Sequence, residues 1–149
     1  MQSLFTEEGL ASITERINKL TPGSQRLWGK MNAAQMLAHS RIPLEVPLGR
    51  HELKPMFIMN ILGGMIRKGL LSDKPVKRNS PTGPGMKMDG VHDFEKEKMA
   101  LIQTIKDFVA AGEAGKLPER HPYFGKFNTE EWGKMQTKHL DHHLQQFGV

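Results

Sequence analysis

The sequence predicts an all-α fold, a four-helix bundle with a long crossover between its second and third helices. Three observations predict it. Four segments repeat apolar residues every three to four positions, capping residues open several of them, and no sustained period-two alternation or hairpin-joined pair of runs occurs. At 149 residues the chain fits one domain, 1–149, large enough to bury roughly two thirds of the surface its unfolded form exposes. Hydrophobic residues make up 38% and charged residues 25%, the balance of a folded chain rather than a disordered one.

The first helix is read from Thr6 to Leu20. Leu10, Ile13, Ile17 and Leu20 form its apolar stripe, Thr6 caps it, Glu7 and Glu8 suit the positive end of its dipole, and Thr21, Pro22 and Gly23 stop it. A connector from Leu27 to Met31 carries Trp28, a ring expected to fill the core. The second helix opens at Asn32, with Gln35 three residues on completing a capping box, and runs through MLAHSRIPLEV. Pro43 removes a backbone donor and is expected to kink or end it, so the helical wheel is used only before that residue. On that wheel Arg41 and Glu45 fall together, and His39 falls nearly opposite, inward, beside Met36.

From Pro47 to about Gly90 the chain reads as a crossover. Its apolar run, Pro55 to Ile66, is too short to span a bilayer and is broken by Asn60 and Gly63-Gly64, so a short helix is expected, packed over the bundle end or against another subunit. The methionines there suit adaptable core, with an interface or lid as the alternative. Ser72 to Gly90, dense in Pro, Gly and Lys, reads as a loop, the sharper alternative being a basic lid over an anionic substrate. Gly83-Pro84-Gly85 is not a phosphate loop, because no strand precedes it and no Gly-Lys-Ser/Thr follows.

The third helix is placed from Val91 to Ala114, with Phe94, Leu101, Ile102, Ile105, Phe108 and Val109 on one stripe. The link beyond it contains HPYFG, His121 to Gly125, an aromatic turn read as hydrophobic plugging in preference to a pocket wall. Asn128 and Glu131 form a second capping box, so the last helix runs from Thr129 to Gln146.

That last helix holds KHLDHHLQQF, Lys138 to Phe147. Residues four apart on a helix lie one turn up and about 40° round, so His139 and His143 point the same way, as two ligands of one ion would. Both fall in the apolar arc of Trp132, Met135, Leu140, Leu144 and Phe147, while His142 falls at its edge. Buried imidazoles need partners, and a shared metal is the simplest for two of them one turn apart, with His39 as a third ligand. Three imidazoles leave a coordination position open, as catalytic rather than structural sites do. Of the nearby polar residues Gln136 and Asp141, only Gln136 shares the inward arc as an acceptor for a free ring nitrogen. With no cysteine in the chain, thiolate zinc sites, disulfides and a cysteine nucleophile are excluded.

MLAHS, Met36 to Ser40, together with Lys138 to Phe147, resembles the DinB-like superfamily of four-helix metalloproteins, which includes bacillithiol transferases. The chain is closer still to a branch known as a domain of unknown function, through WGKM (Trp28 to Met31), HPYFGK (His121 to Lys126), EWGKM (Glu131 to Met135) and KHLDHHLQQFGV. The resemblance covers nearly the whole chain and implies a divalent metal ion on His39, His139 and His143, while His121 matches a family motif without a known role. Where the family pattern has Tyr and Arg around the last motif, Thr137 and Gln145 stand here, so no substrate contact transfers onto those positions.

Two function classes follow. In the first, a divalent ion on the three histidines, zinc or nickel foremost, acts as a Lewis acid that lowers the pKa of a bound water or thiol, in a transferase or hydrolase whose candidate proton-transfer residues are His121 and Asp141. Thiol transfer is what the resemblance implies, and the basic crossover suits a small thiol or anionic substrate. In the second, the chain is a non-catalytic metal-binding or stress-response protein acting as a homodimer. The formal charge of +5 and pI of about 9.6 favour an anionic partner. The Lys and Arg residues are nonetheless scattered, with no run of five, so no nucleic-acid partner is expected. No membrane partner is expected either, and MQSLFTEEGL lacks the features of a secretory signal, so a cytoplasmic location is expected.

Overall fold

The structure, a computed structural model, describes residues 2–83 and 85–149, so Pro84 of the Gly83-Pro84-Gly85 sequence lies outside the described residues. The chain is mostly helical: α1 is Glu7–Lys19, α2 Ala33–Glu45, α3 Phe57–Leu71, α4 Phe94–Glu113 and α5 Thr129–Gln146. Between α4 and α5 lies a two-stranded antiparallel ribbon, β1 Arg120–His121 and β2 Gly125–Lys126, with Arg120 opposite Lys126 and His121 opposite Gly125. An all-α fold was expected, and this ribbon is the departure from it. Two-residue strands are too short to leave an alternating pattern in the sequence.

Local chemistry sets the helix ends. The Thr6 side chain accepts from the Gly9 N–H, and Asn32 with Gln35 and Asn128 with Glu131 each close a reciprocal capping box. Asp93 caps α4 by accepting from the Lys96 N–H, which moves its start from the expected Val91 to Phe94 and leaves Val91 fully exposed. Pro43 does not end α2 at once: the helix continues to Glu45. The prolines at 43 and 47 each lack an N–H, which frees the carbonyls of His39 and Pro43 from helical pairing. Gln136 of α5 uses one of them, its Nε2 donating to the Pro43 oxygen at 2.7 Å.

One apolar cluster joins α1, α2, α4 and α5, built on Ile13, Ile17, Leu37, Leu101, Phe108, Trp132 and Leu140. Each fully buried side chain of this size contributes about 1.5–3 kcal/mol over its exposed state. The most extensive helix pairing is α2 on α4, with α5 lying against α1, α2 and α3. Ahead of α1, the Leu4 N–H donates to Thr137 Oγ1 at 3.0 Å, and the Phe5 ring stacks on Phe108 while pressing against Gly112 of α4 and Gly133 of α5, where any Cβ would overlap it. Side chains larger than hydrogen at those two positions would close the slot that Phe5 fills.

The crossover holds the second surprise. Its helix runs on to Leu71, five residues past the expected Ile66, and packs on α5, with Leu70 and Leu71 against the core, yet Phe57, Ile58, Ile61, Met65 and Ile66 face outward. Trp28 is likewise not in the core; the fully buried indole is Trp132, whose Nε1 donates to the Pro118 oxygen. Among the described residues no helix is long and apolar enough to cross a membrane.

Candidate metal centre

α2 and α5 bring His39, His139 and His143 together, one ring nitrogen from each lying within 4.8 Å of the others, so the three can hold a metal ion. The ring centroids stand 4.6–5.1 Å apart in pairs. His39 and His143 are buried, and His139 keeps slightly more surface. The arrangement follows from the wheel geometry of α5, where positions 139 and 143 share a face, and from α2 presenting His39 across the helix pair.

The hydrogen bonds fix which nitrogens carry protons. His39 Nδ1 lies 2.7 Å from the Met86 carbonyl oxygen, which can only accept, so Nδ1 is protonated and Nε2 holds a lone pair. Gln146 donates its Nε2 to the Trp28 oxygen at 2.8 Å, which turns its Oε1 toward His143 Nδ1 at 2.9 Å. His143 Nδ1 is therefore the donor there, and its Nε2 is left unprotonated. His139 Nε2 stands 3.2 Å from His39 Nε2, while His139 Nδ1 is buried with no partner at all.

Burial lowers the pKa of His39 against the opposing bond to Met86. It lowers His139 far more, helped by the neighbouring His143 and His39, and it takes His143 down to about 3, with His39 adding to the effect and Gln146 opposing it. All three imidazoles are thus neutral at pH 7, the form that ligates metal. The donor set fits a divalent ion: two outer acceptors already orient two of the rings, and the 3.2 Å spacing is close to the ~3.3 Å expected between two nitrogens sharing a tetrahedral ion at 2.0–2.1 Å. Neither outer acceptor was anticipated. Gln146, three residues after His143 on α5, was open to discovery by helical spacing; a main-chain oxygen at Met86 has no signature in the sequence.

The other named residues lie elsewhere. His121 is buried in the ribbon, stacked on Phe124 at 4.2 Å and 5.0 Å from Trp132, with its Nδ1 accepting from the Tyr123 N–H; burial pushes its pKa down to about 4. Asp141 accepts from Arg16 at 2.8 Å and from Gln145 at 2.7 Å. Neither belongs to the three-His group. Gln136 is fully buried, with its Oε1 unpartnered, and Thr137 ties the N-terminal segment to α5 through Leu4. His142 sits at the margin, its ring 5.7 Å from that of Trp28, over which the Arg78 guanidinium stacks at 4.3 Å. A groove of about 510 Å³ between residues 72–76 and the outer side of α5 reaches His142 but not the three-His group.

Mostly helical and carrying three clustered histidines that can hold an ion, the chain falls in the class of helical proteins with a candidate metal centre. It belongs to the family described as protein of unknown function (DUF1569), whose model matches residues 1–148. No curated protein and no solved structure matches it.

Proposed function

We propose that the protein is a metal-dependent enzyme of thiol-transferase or hydrolase type, a single domain built as a four-helix bundle of DinB type, with one divalent ion, zinc or nickel, held by His39, His139 and His143. The observation that carries this is the protonation pattern: Met86 and Gln146 oblige His39 and His143 to keep lone pairs on Nε2, in a group of three imidazoles that burial holds neutral. Without a cation, one proton on His139 must serve these inward lone pairs. An imidazole-only donor set suits zinc, nickel, copper or iron and leaves room for a further ligand.

A divalent ion supplies Lewis-acid polarisation and makes a water or thiol acidic near neutral pH. The chain itself does the orienting. Met86 and Gln146 fix the ring planes of His39 and His143, and the Gln136 bond to Pro43 ties α2 to α5 close to the two elements that carry the ligands. His121, held in the ribbon, and Asp141, paired with Arg16, lie outside the three-His group, so a proton-transfer role for either requires the substrate to reach it. The substrate in this proposal is a small thiol or anionic molecule of the cytoplasm.

Elemental analysis of the purified wild type beside His39→Ala and His143→Ala tests the centre: stoichiometric metal in the wild type and its loss in both variants is expected, and equal metal content in all three would sink the site. Turnover of the metal-loaded protein with low-molecular-weight thiol and electrophile pairs, and with activated esters, then separates transferase from hydrolase.

A further inference from the structure

α3 is docked upside down for a helix of a globular protein. Phe57, Ile61 and Met65, spaced to share one face, are 80%, 65% and 68% exposed, and Ile58 beside them is exposed too. Its inner side is held by Leu70 and Leu71 at the C-terminal end, packed against the core, and otherwise by small and polar contacts. Gly63 is its one buried residue and meets the Tyr123 carbonyl so closely that a Cβ would overlap it. Arg67 pairs with Glu131, and buried Lys138 of α5 donates to the carbonyls of Gly69 and Ser72, both at 2.9 Å, closing the helix C-terminus. Such anchoring presents the apolar face outward rather than leaving it loose.

The charge of the chain gathers on the same segment. Residues 47–90 hold eight of the 21 Lys and Arg and three of the 16 acids, so the whole formal charge of +5 resides there and the remainder of the chain is balanced. Lys54, Lys68, Lys74, Lys77 and Lys87 are exposed, and none is ion-paired among the described residues. α3 contains no acid at all. Lys68 falls on the apolar stripe one turn beyond Met65, and Lys54 stands just ahead of the helix.

We propose that this face rests on an anionic lipid surface, with α3 lying in the interfacial plane, Phe57, Ile61 and Met65 entering the acyl boundary, and the crossover lysines meeting the headgroups. At about 22 Å the helix is too short to cross a bilayer, and apolar insertion flanked by lysines is the pattern of a helix that lies on one. A second copy of the chain fits less well. Antiparallel pairing of two α3 helices would bring Lys68 toward the partner's Lys54, and parallel pairing would set Lys68 against itself, with no carboxylate on either helix to compensate. The expectation of no membrane partner rested on segment length, which excludes crossing but not lying on the surface. The proposal is independent of the three-His group and can be tested with or without metal.

The test is flotation of the full chain with vesicles of phosphatidylcholine alone and of phosphatidylcholine mixed with phosphatidylglycerol, alongside its solution mass by light scattering. Binding is expected only with the anionic lipid and to weaken with salt. The double variant Phe57→Ser/Ile61→Ser should bind at least about tenfold more weakly while its thermal midpoint stays unchanged, because both side chains are exposed. Lys54→Gln/Lys68→Gln should weaken binding to the anionic vesicles in a folded protein. Absence of flotation by the folded wild type at low salt would overturn the proposal. So would a wild-type dimer that becomes monomeric in Phe57→Ser/Ile61→Ser without lipid, since a second copy would then be what covers the face.

Discussion

His121 offers a measurable link between the ribbon and the stability of the whole chain. Its ring is 6% exposed, stacked among Phe124, Phe127 and Trp132, and burial lowers its pKa from 6.5 to about 4. As pH falls through 6.5 the unfolded chain binds a proton on this residue that the folded ring refuses until about pH 4. The folded state therefore loses stability across that window and levels off below it. A gap of 2.5 pH units at 1.36 kcal/mol each gives roughly 3 kcal/mol lost between pH 7 and pH 4 from this residue. The perturbation is His121→Phe, which keeps a ring in the stack and removes the titration. Loss of the acceptor for the Tyr123 N–H costs the variant the same at every pH, so the pH dependence isolates the proton. Urea unfolding of both proteins in the presence of a chelator, at pH 7 and pH 4, should show the variant gaining roughly 3 kcal/mol on the wild type at the lower pH. A difference between the two proteins that does not change with pH would refute the reasoning.

Gln146→Leu removes the acceptor that orients His143 and is expected to weaken metal binding about 10–100-fold in a chelator competition, while an unchanged affinity would deny Gln146 that role. Gly133→Ala places a Cβ 2.5 Å from the Phe5 ring and should cost about 1–3 kcal/mol in thermal unfolding, part of which Phe5→Leu restores; no loss in the single variant would mean the slot is wider than described. Asn128→Ala breaks the capping box of α5 and should lower the unfolding free energy by about 1 kcal/mol with an unaltered dependence on denaturant, and a protein as stable as the wild type would show that the cap contributes nothing.

Much of the helical framework was legible because it is written in short-range chemistry. Asn32 with Gln35 and Asn128 with Glu131 announce helix starts through side chains that bond within one turn, and both boxes are formed. The Arg41–Glu45 pair and the burial of His39 follow from the same wheel, which holds past Pro43 because the helix continues to Glu45. The gathering of His39, His139 and His143 was legible too, since apolar neighbours on α5 mark the inward arc. What escaped depends on long-range placement. Trp28 looked like core because indoles usually are, but its connector lies at the surface, where the ring meets His142 and Arg78. The run ending at Ile66 looked like packing material because composition does not say which side of a helix meets the protein; Gly63 and Lys138 decide that, one by lacking a side chain and the other from 69 residues away along the chain.

The contact between His39 and Met86 carries a consequence for how such a centre tolerates change. The acceptor is a peptide oxygen, so every amino acid at position 86 supplies it and no side-chain replacement there deletes it. A scan of single substitutions would pass over this position without a signal. The quantity under constraint is the path of the loop: inserting or deleting a residue between Ser72 and Met86 shifts the oxygen and lets the imidazole turn, whereas side-chain replacements at constant length that keep the positive-φ residues Asn79 and Gly85 and the anchors Asp73 and Arg78 leave it in place. Selection acting on the centre should therefore hold the length of this segment more tightly than its spelling.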